Sequence, residues 1–277
     1  IYEAVSDIAG RYNPVLAINA DFCRYHRDGV IIRNGEVLRR QNIKKHHLLV
    51  VDQNGDLSAQ TDRSGKQGLV ANKLEQAKTW QTFEFGPVLV EDGKAATLPS
   101  SFYVNCHDGY YEPRTAIGQL GPLHYIVIVV DGRREGYSTG ASIPQLQQLF
   151  LDEGAEFAFN LDGGGSSVAS MTLPGNATAA AISKPSNGKE AIVSNAVLFV
   201  NKNAATGQLA NYHVYPNSPF ALKNAGIDFT VKGTDTTHHA VGLSSYPTLS
   251  ADGGSFTGYH YQAPATAGAY TVTAEQG

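Results

Sequence analysis

The chain has 277 residues, with 21 Lys and Arg against 25 Asp and Glu for a net charge of −4, and only 17% of it is charged, where soluble domains carry roughly 25%. A chain without a polybasic surface is a poor partner for nucleic acid or anionic membranes, and 42% hydrophobic residues supply a core and exclude disorder and collagen-like repetition. No apolar run reaches the ~18 residues of a membrane span, and the length suits one large domain or two smaller ones.

The single methionine is Met171 rather than residue 1, so the chain is expected to be a piece of a longer protein whose start would hide any signal peptide. Two cysteines, Cys23 and Cys106, fit neither a metal quartet nor a disulfide-rich scaffold, and free thiols are the simpler reading. In chain order, apolar residues at helical spacing predict a helix over 1–12, ended by Asn13-Pro14, and 15–20 reads as a buried strand. Asn34-Gly35 and Asn54-Gly55 each predict a hairpin with a primed turn, joining 30–33 to 36–39 and 48–52 to 56–60. A helix is expected over 69–79, then a strand over 83–90 interrupted by Gly86-Pro87. Residues 114–119 and 124–131 form a strand pair, the second a near-continuous apolar run of the kind buried on both faces. Ser142 caps a helix to about Asp152 with Pro144 in its first turn, and 157–161 is a core strand that stops at Asp162-Gly163-Gly164-Gly165. Strands over 167–172 and 193–200 close this domain.

The polar stretch 202–208 is expected to be a linker between a domain over 1–201 and a second over 209–277. In the second, short alternating strands between Gly, Pro and Asn predict a small β-sandwich. The fold class is therefore α+β, a mixed β-rich sheet core with a few helices, followed by an all-β module.

Polar groups at the ends of apolar strands mark where chemistry is built. In AINADF (17–22), Asn19 and Asp21 point the same way from one strand; they bind a ligand or brace a turn. In PRTAIG (113–118), Arg114 is a planar cation suited to phosphate or carboxylate, or else an ion-pair partner of Asp108 or Glu112. His107 is a loop histidine that could act as acid or base. NLDGGGSS (160–167) is the most specific segment. Gly163, Gly164 and Gly165 would leave backbone N–H groups open to a close ligand, Ser166 and Ser167 add hydroxyls, and Asp162 is the one carboxylate there. Neither a Walker loop nor a dinucleotide fingerprint is present, and zinc spacing and GxSxG are missing. The strand over 193–200 with Asn195 reads as mainly structural.

AINADF, FGPVLVEDGK (85–94), PRTAIG, VVDGR (129–133), the helix after Ser142 and FNLDGGGSS together resemble the phosphodiester glycosidase family over about residues 15–201. The resemblance implies hydrolysis of a sugar-1-phosphodiester in a glycan, such as α-N-acetylglucosamine-1-phosphate. It implies catalytic roles for Asp162, Asp21 and Arg114, and substrate binding by Asn19, Gly163, Gly164, Ser166 and Asn195; Asp108 and Glu112, just before PRTAIG, are also expected to bind substrate. Arg114 and the 163–166 segment would stabilise the phosphate while Asp162 or Asp21 serves as base or electrostatic stabiliser. No cofactor is implied, and a divalent cation between Asp162 and Asp21 would lack a dense acidic ligand run. The partner is a glycan or phosphoglycan, and the oligomeric state is not specified. The expected setting is secretion or the bacterial envelope, where a Cys23–Cys106 disulfide could pin the site loops. Two positions depart from the family: Cys23, usually aromatic, and Ala191, usually Arg. The alternatives are an exopolysaccharide glycosidase acting without phosphate and a non-catalytic glycan-binding envelope protein. The final stretch, 250–274, resembles the closing strands of bacterial immunoglobulin-like spacers, with a last strand expected to be missing.

Overall fold

A computed structural model describes residues 2–23, 27–61 and 69–276. The chain divides into two compact units, one of residues 1–171 and 180–200, the other of 172–179 and 201–277. Three α-helices are present among the described residues, all in the first unit, and none is long and apolar enough to cross a membrane.

Helix α1 is Val5–Tyr12, shorter than the 1–12 expected; of that range Ile1 lies outside the described residues. Glu3 pairs with Val193 through both backbone groups, which draws the segment before Val5 into β geometry. Asn13 ends the helix in the left-handed conformation at φ 43°, its N–H bonded to the Ala9 carbonyl. Strand β1 (Leu16–Asn19) follows, then β2 (Val30–Arg33) and β3 (Glu36–Arg40), joined by Asn34 and Gly35 at φ 52° and 81° as a primed turn requires. The next hairpin differs from expectation. Strands β4 (His47–Val51) and β5 (Leu57–Gln60) are joined by residues 52–56, because Asp52 Oδ1 accepts from the Asn54 and Asp56 amides and holds a longer loop. Helix α2 is Leu69–Gln76, and β6 (Gln81–Phe85) lies beside β4.

At Gly86-Pro87 the apolar run turns into a different sheet as β7 (Val88–Glu91), followed by β8 (Lys94–Ala95). Strands β9 (Arg114–Gly121) and β10 (His124–Val130), helix α3 (Ile143–Asp152) and strand β11 (Phe157–Asn160) come next. A reciprocal capping box between Ser142 and Gln145 starts α3, with Pro144 in its first turn. Strands β12 (Ala169–Met171), β13 (Ala180–Ala181) and β14 (Ala196–Phe199) complete the unit.

One sheet runs β13-β12-β1-β14 and another β10-β9-β11-β7-β8. Ile18, Leu49, Phe83, Phe85, Ile117, Phe159 and Leu161 form the main core, while Leu89, Ala116, Ile143, Leu146 and Phe150 form a second under α3. The middle strands of the five-stranded sheet are thus buried on both faces. β10 is not: it is the sheet edge and half-buried along most of its length, because its apolar run has one neighbour, β9. Gly118 in β9 makes room for α3, since a Cβ there would lie 2.8 Å from both a Phe150 ring carbon and the Phe157 carbonyl.

The second unit contains β15 (Asn211–Tyr215), β16 (Gly226–Asp228), β17 (Thr230–Thr234), β18 (Ala240–Val241), β19 (Thr248–Ala251), β20 (Ser255–Thr257), β21 (His260–Gln262) and β22 (Val272–Glu275). They form sheets β15-β17-β18, β16-β21-β20 and β19-β22 around Phe229, Val231, Leu249 and Tyr261. Residues 202–208, expected as a linker, are tied to this unit: the buried Asp235 carboxylate accepts from the Thr206 and Gly207 amides.

Phe150 is fully buried, so Phe150→Ala is expected to cost about 3–5 kcal/mol. Urea denaturation should show this as a lower midpoint at unchanged slope.

Candidate active site

Strand ends from both sheets meet at Asn19. Its Oδ1 accepts from the Thr115 hydroxyl at 2.8 Å and the Val168 amide at 3.1 Å, and its Nδ2 donates to the Asp162 carbonyl at 2.6 Å. The backbone continues the stitch, with Leu161 N–H on the Thr115 carbonyl and Asp162 N–H on the Ala20 carbonyl. Asn19, expected to touch substrate, is buried and braces the loop that carries Asp162.

Asp21 is also held by protein. Oδ1 accepts from Asn195 Nδ2 at 2.6 Å and the Cys23 amide at 3.0 Å; Oδ2 accepts from the Glu84 amide at 3.2 Å and Arg33 Nη2 at 3.5 Å. Asn195 Oδ1 in turn accepts from the Asp21 amide, so both polar ends of Asn195 face Asp21. Cys23 Sγ lies 3.4 Å from Ser194 Oγ, and Cys106 Sγ donates to the Val104 carbonyl. Both thiols are free, and burial pushes both above their ordinary value.

Arg114 is buried and makes no ion pair with Asp108 or Glu112. Its Nε donates to the Ala141 carbonyl and Nη2 to the Tyr110 carbonyl, which leaves Nη1 without a partner among the described residues. Burial lowers the guanidinium from its ordinary value, with the Glu112 charge opposing. Asp108 Oδ1 accepts from the Ser142 hydroxyl and the Gly109 amide, fastening its loop to the start of α3. Glu112 pairs with Arg133, a residue that the sequence displays only as the last letter of VVDGR. His107 is exposed.

The glycine segment is less open than its composition suggests. Gly164 N–H bonds the Pro113 carbonyl, and the Ser166 and Ser167 amides close a 3-10 turn on Gly163 and Gly164. Gly165 N–H remains. Gly163 is needed because a Cβ there would lie 2.8 Å from the Pro113 carbonyl, and Gly164 because its φ is +60°. Ser167 is buried with its hydroxyl unpartnered and offers nothing to a ligand, whereas Ser166 is half-buried and bonds Asp162. Burial pushes the Asp162 carboxyl up to about 6, the Asp21 charge adds to that, and the Ser166 hydroxyl and Gly163 amide oppose it. The site therefore sets a carboxyl raised toward neutrality on a loop whose Gly163 backs onto the Arg114 stem.

Two consequences can be measured. A raised carboxyl is protonated more readily folded than unfolded, so Asp162 costs stability as pH rises from about 4 to 6. Thermal melts of Asp162→Asn should rise relative to the parent across that window; a constant difference from pH 4 to 7 would contradict the buried carboxyl. Asp21→Ala, by contrast, strands Asn195 and Arg33, and is expected to cost on the order of 3 kcal/mol in urea.

Residues 12–200 match the phosphodiester glycosidase family model. The chain is 31% identical over 170 residues to the prophage-derived protein YomE of Bacillus subtilis strain 168, an alignment covering 60% of this chain and 25% of that protein. It thus spans a quarter of that relative's length. The catalytic domain of zebrafish N-acetylglucosamine-1-phosphodiester alpha-N-acetylglucosaminidase, solved auto-inhibited by its pro-peptide, superposes with a TM-score of 0.54 at 20% identity, covering 73% of this chain and 68% of that one. That likeness is one of fold. With the family match running from the end of α1 through β14 and across every strand end that builds the site, the chain belongs to the phosphodiester glycosidase family.

Proposed function

We propose that the first unit hydrolyses a sugar-1-phosphodiester in a glycan, with Asp162 as the base. The observation that carries this is the Asp162 carboxyl, raised to about 6 on a strand-end loop backed by Arg114. Water adds to the anomeric carbon and gives its proton to Asp162, and the bond from that carbon to the phosphate oxygen breaks. The phosphate departs as a monoester, with the new charge stabilised by Arg114 Nη1 and the Gly165 amide. Phosphate is already a good leaving group, so the protonation that ordinary glycosidases supply matters less here. Asp21, whose oxygens already accept four protein donors, supports the loop and adds negative charge near Asp162 rather than taking the proton.

The same reading gives α-N-acetylglucosamine-1-phosphate as the first substrate to try, places the protein outside the bacterial cytoplasm, and makes the second unit an immunoglobulin-like spacer. Support for the last is its set of short antiparallel strands around a small aromatic core.

Incubation with N-acetylglucosamine-α-1-phospho-mannose and with teichoic-type phosphoglycans should release sugar. The pH profile should rise through about 6, because the base must be unprotonated. Asp162→Asn should lower kcat by roughly 10²–10⁴-fold. Turnover of neutral glycans alone would indicate an ordinary glycosidase. Binding without turnover that survives Asp162→Asn would indicate a glycan-binding protein.

A further inference from the structure

The Asp-Gly-Arg turn after β10 places a second cation at the glycine segment. A Cβ at Gly164 would lie 3.2 Å from Arg133 Nη2 and 3.6 Å from its Cζ and Nη1, so the guanidinium covers that glycine. Gly163, the residue before, backs onto Arg114, with the same construction giving 3.9 Å to Arg114 Cδ. The Arg133 guanidinium and the Arg114 stem, from whose Cδ the second guanidinium extends, therefore flank one two-residue stretch of backbone next to Asp162.

Arg133 is held there by its turn. Its N–H bonds the Thr139 carbonyl, Arg134 N–H bonds Ser138, and Gly132 sits where a Cβ would meet Gly140 Cα and Pro113 N at 2.8 Å. Arg133 itself takes φ +56°, a backbone conformation that bulky residues rarely adopt and that clusters at ligand sites. Its Nε is paired with Glu112 Oε2, its Nη1 and Nη2 have no partner among the described residues, and its side chain is 49% exposed. Arg114 is buried, and its Nη1 has no partner among the described residues. Glu112 is the carboxylate that acts on both cations, and the Arg133 charge disfavours the charged form of Arg114. Two guanidiniums and one carboxylate leave a formal charge of +1.

We infer that Arg114 and Arg133 form a two-guanidinium clamp for the phosphate, and that Glu112 occupies Arg133 in the free enzyme and competes with the phosphate for it. This rests on the phosphodiester reading of the site. A diester carries one negative charge and two non-bridging oxygens, one for each guanidinium, and guanidinium forks suit such oxygens. The monoester product carries a further charge, so the clamp holds product more tightly than substrate, and inorganic phosphate inhibits.

The test is binding of inorganic phosphate to the whole chain, read by calorimetry and by ³¹P line broadening. Arg133→Gln should weaken phosphate at least tenfold, Arg133→Lys should restore part of the loss, and Glu112→Gln should tighten phosphate severalfold. Unchanged binding in Arg133→Gln, or equal weakening in Glu112→Gln, would overturn the clamp. So would a parent chain that does not bind phosphate. Diester hydrolysis at full kcat/KM in Arg133→Gln would sink the clamp while leaving the proposed activity standing. Phosphate binding that depends on Arg133 in a chain that cleaves only neutral glycans would do the reverse.

Discussion

The Asn19 carboxamide is where two sheets are joined at their ends. β1 belongs to one sheet and β9 and β11 to another, and among the described residues no backbone ladder connects them. One buried side chain accepts from Thr115 on β9 and from Val168, and donates to the carbonyl of Asp162 just past β11. Such a group is tolerated in an apolar interior only when its donors and acceptors are met. Meeting them with atoms from three segments fixes where the Asp162 loop leaves the core. Asp21, two residues further on, does the same with Asn195, Cys23, Glu84 and Arg33.

This bracing separates residues that hold the site from residues with polar atoms still open to a ligand. Asn19, Asp21, Asn195 and Asp108 bond to protein, as do the Gly164 and Ser166 amides. Among the described residues, Nη1 of Arg114, the Gly165 amide and both Nη atoms of Arg133 have no protein partner, while the Asp162 carboxyl accepts from the Ser166 hydroxyl and the Gly163 amide. The two aspartates show how environment divides identical chemistry. Asp21 is surrounded by N–H donors and a guanidinium. Asp162 is pushed toward its neutral form by burial and by the Asp21 charge. The rigid shell around them is what allows a carboxyl to remain in so unfavourable a place.

Much of the first unit was readable locally. The Asn34-Gly35 turn, the Ser142 cap and the strand ending at Asp162 each depend on the conformational preferences of a few adjacent residues. Local preference is overridden where distant atoms compete with it. Asp52 lengthened the loop at Asn54-Gly55 by collecting amides, and Glu3 shortened α1 by pairing with Val193, 190 positions away in the chain. The apolar run of β10 looked like a central strand because hydrophobicity reports burial on average and says nothing about sheet order.

The site shows the same division more sharply. Motif order along the chain was sufficient to indicate the family and to mark Asp162, Gly163 and Gly164, because a buried strand ending in glycines is a local fact. Whether Asn19 faces a ligand or the Asp162 carbonyl, and whether Glu112 pairs with Arg114 or Arg133, could be decided only by folding. A side chain's hydrogen-bond capacity is written in its chemistry, but its partners come from whichever strand ends the core brings together. By itself the sequence determined which groups could react; the tertiary structure decided which of them are left free to do so, because buried polar atoms must be satisfied before any can be offered to a substrate.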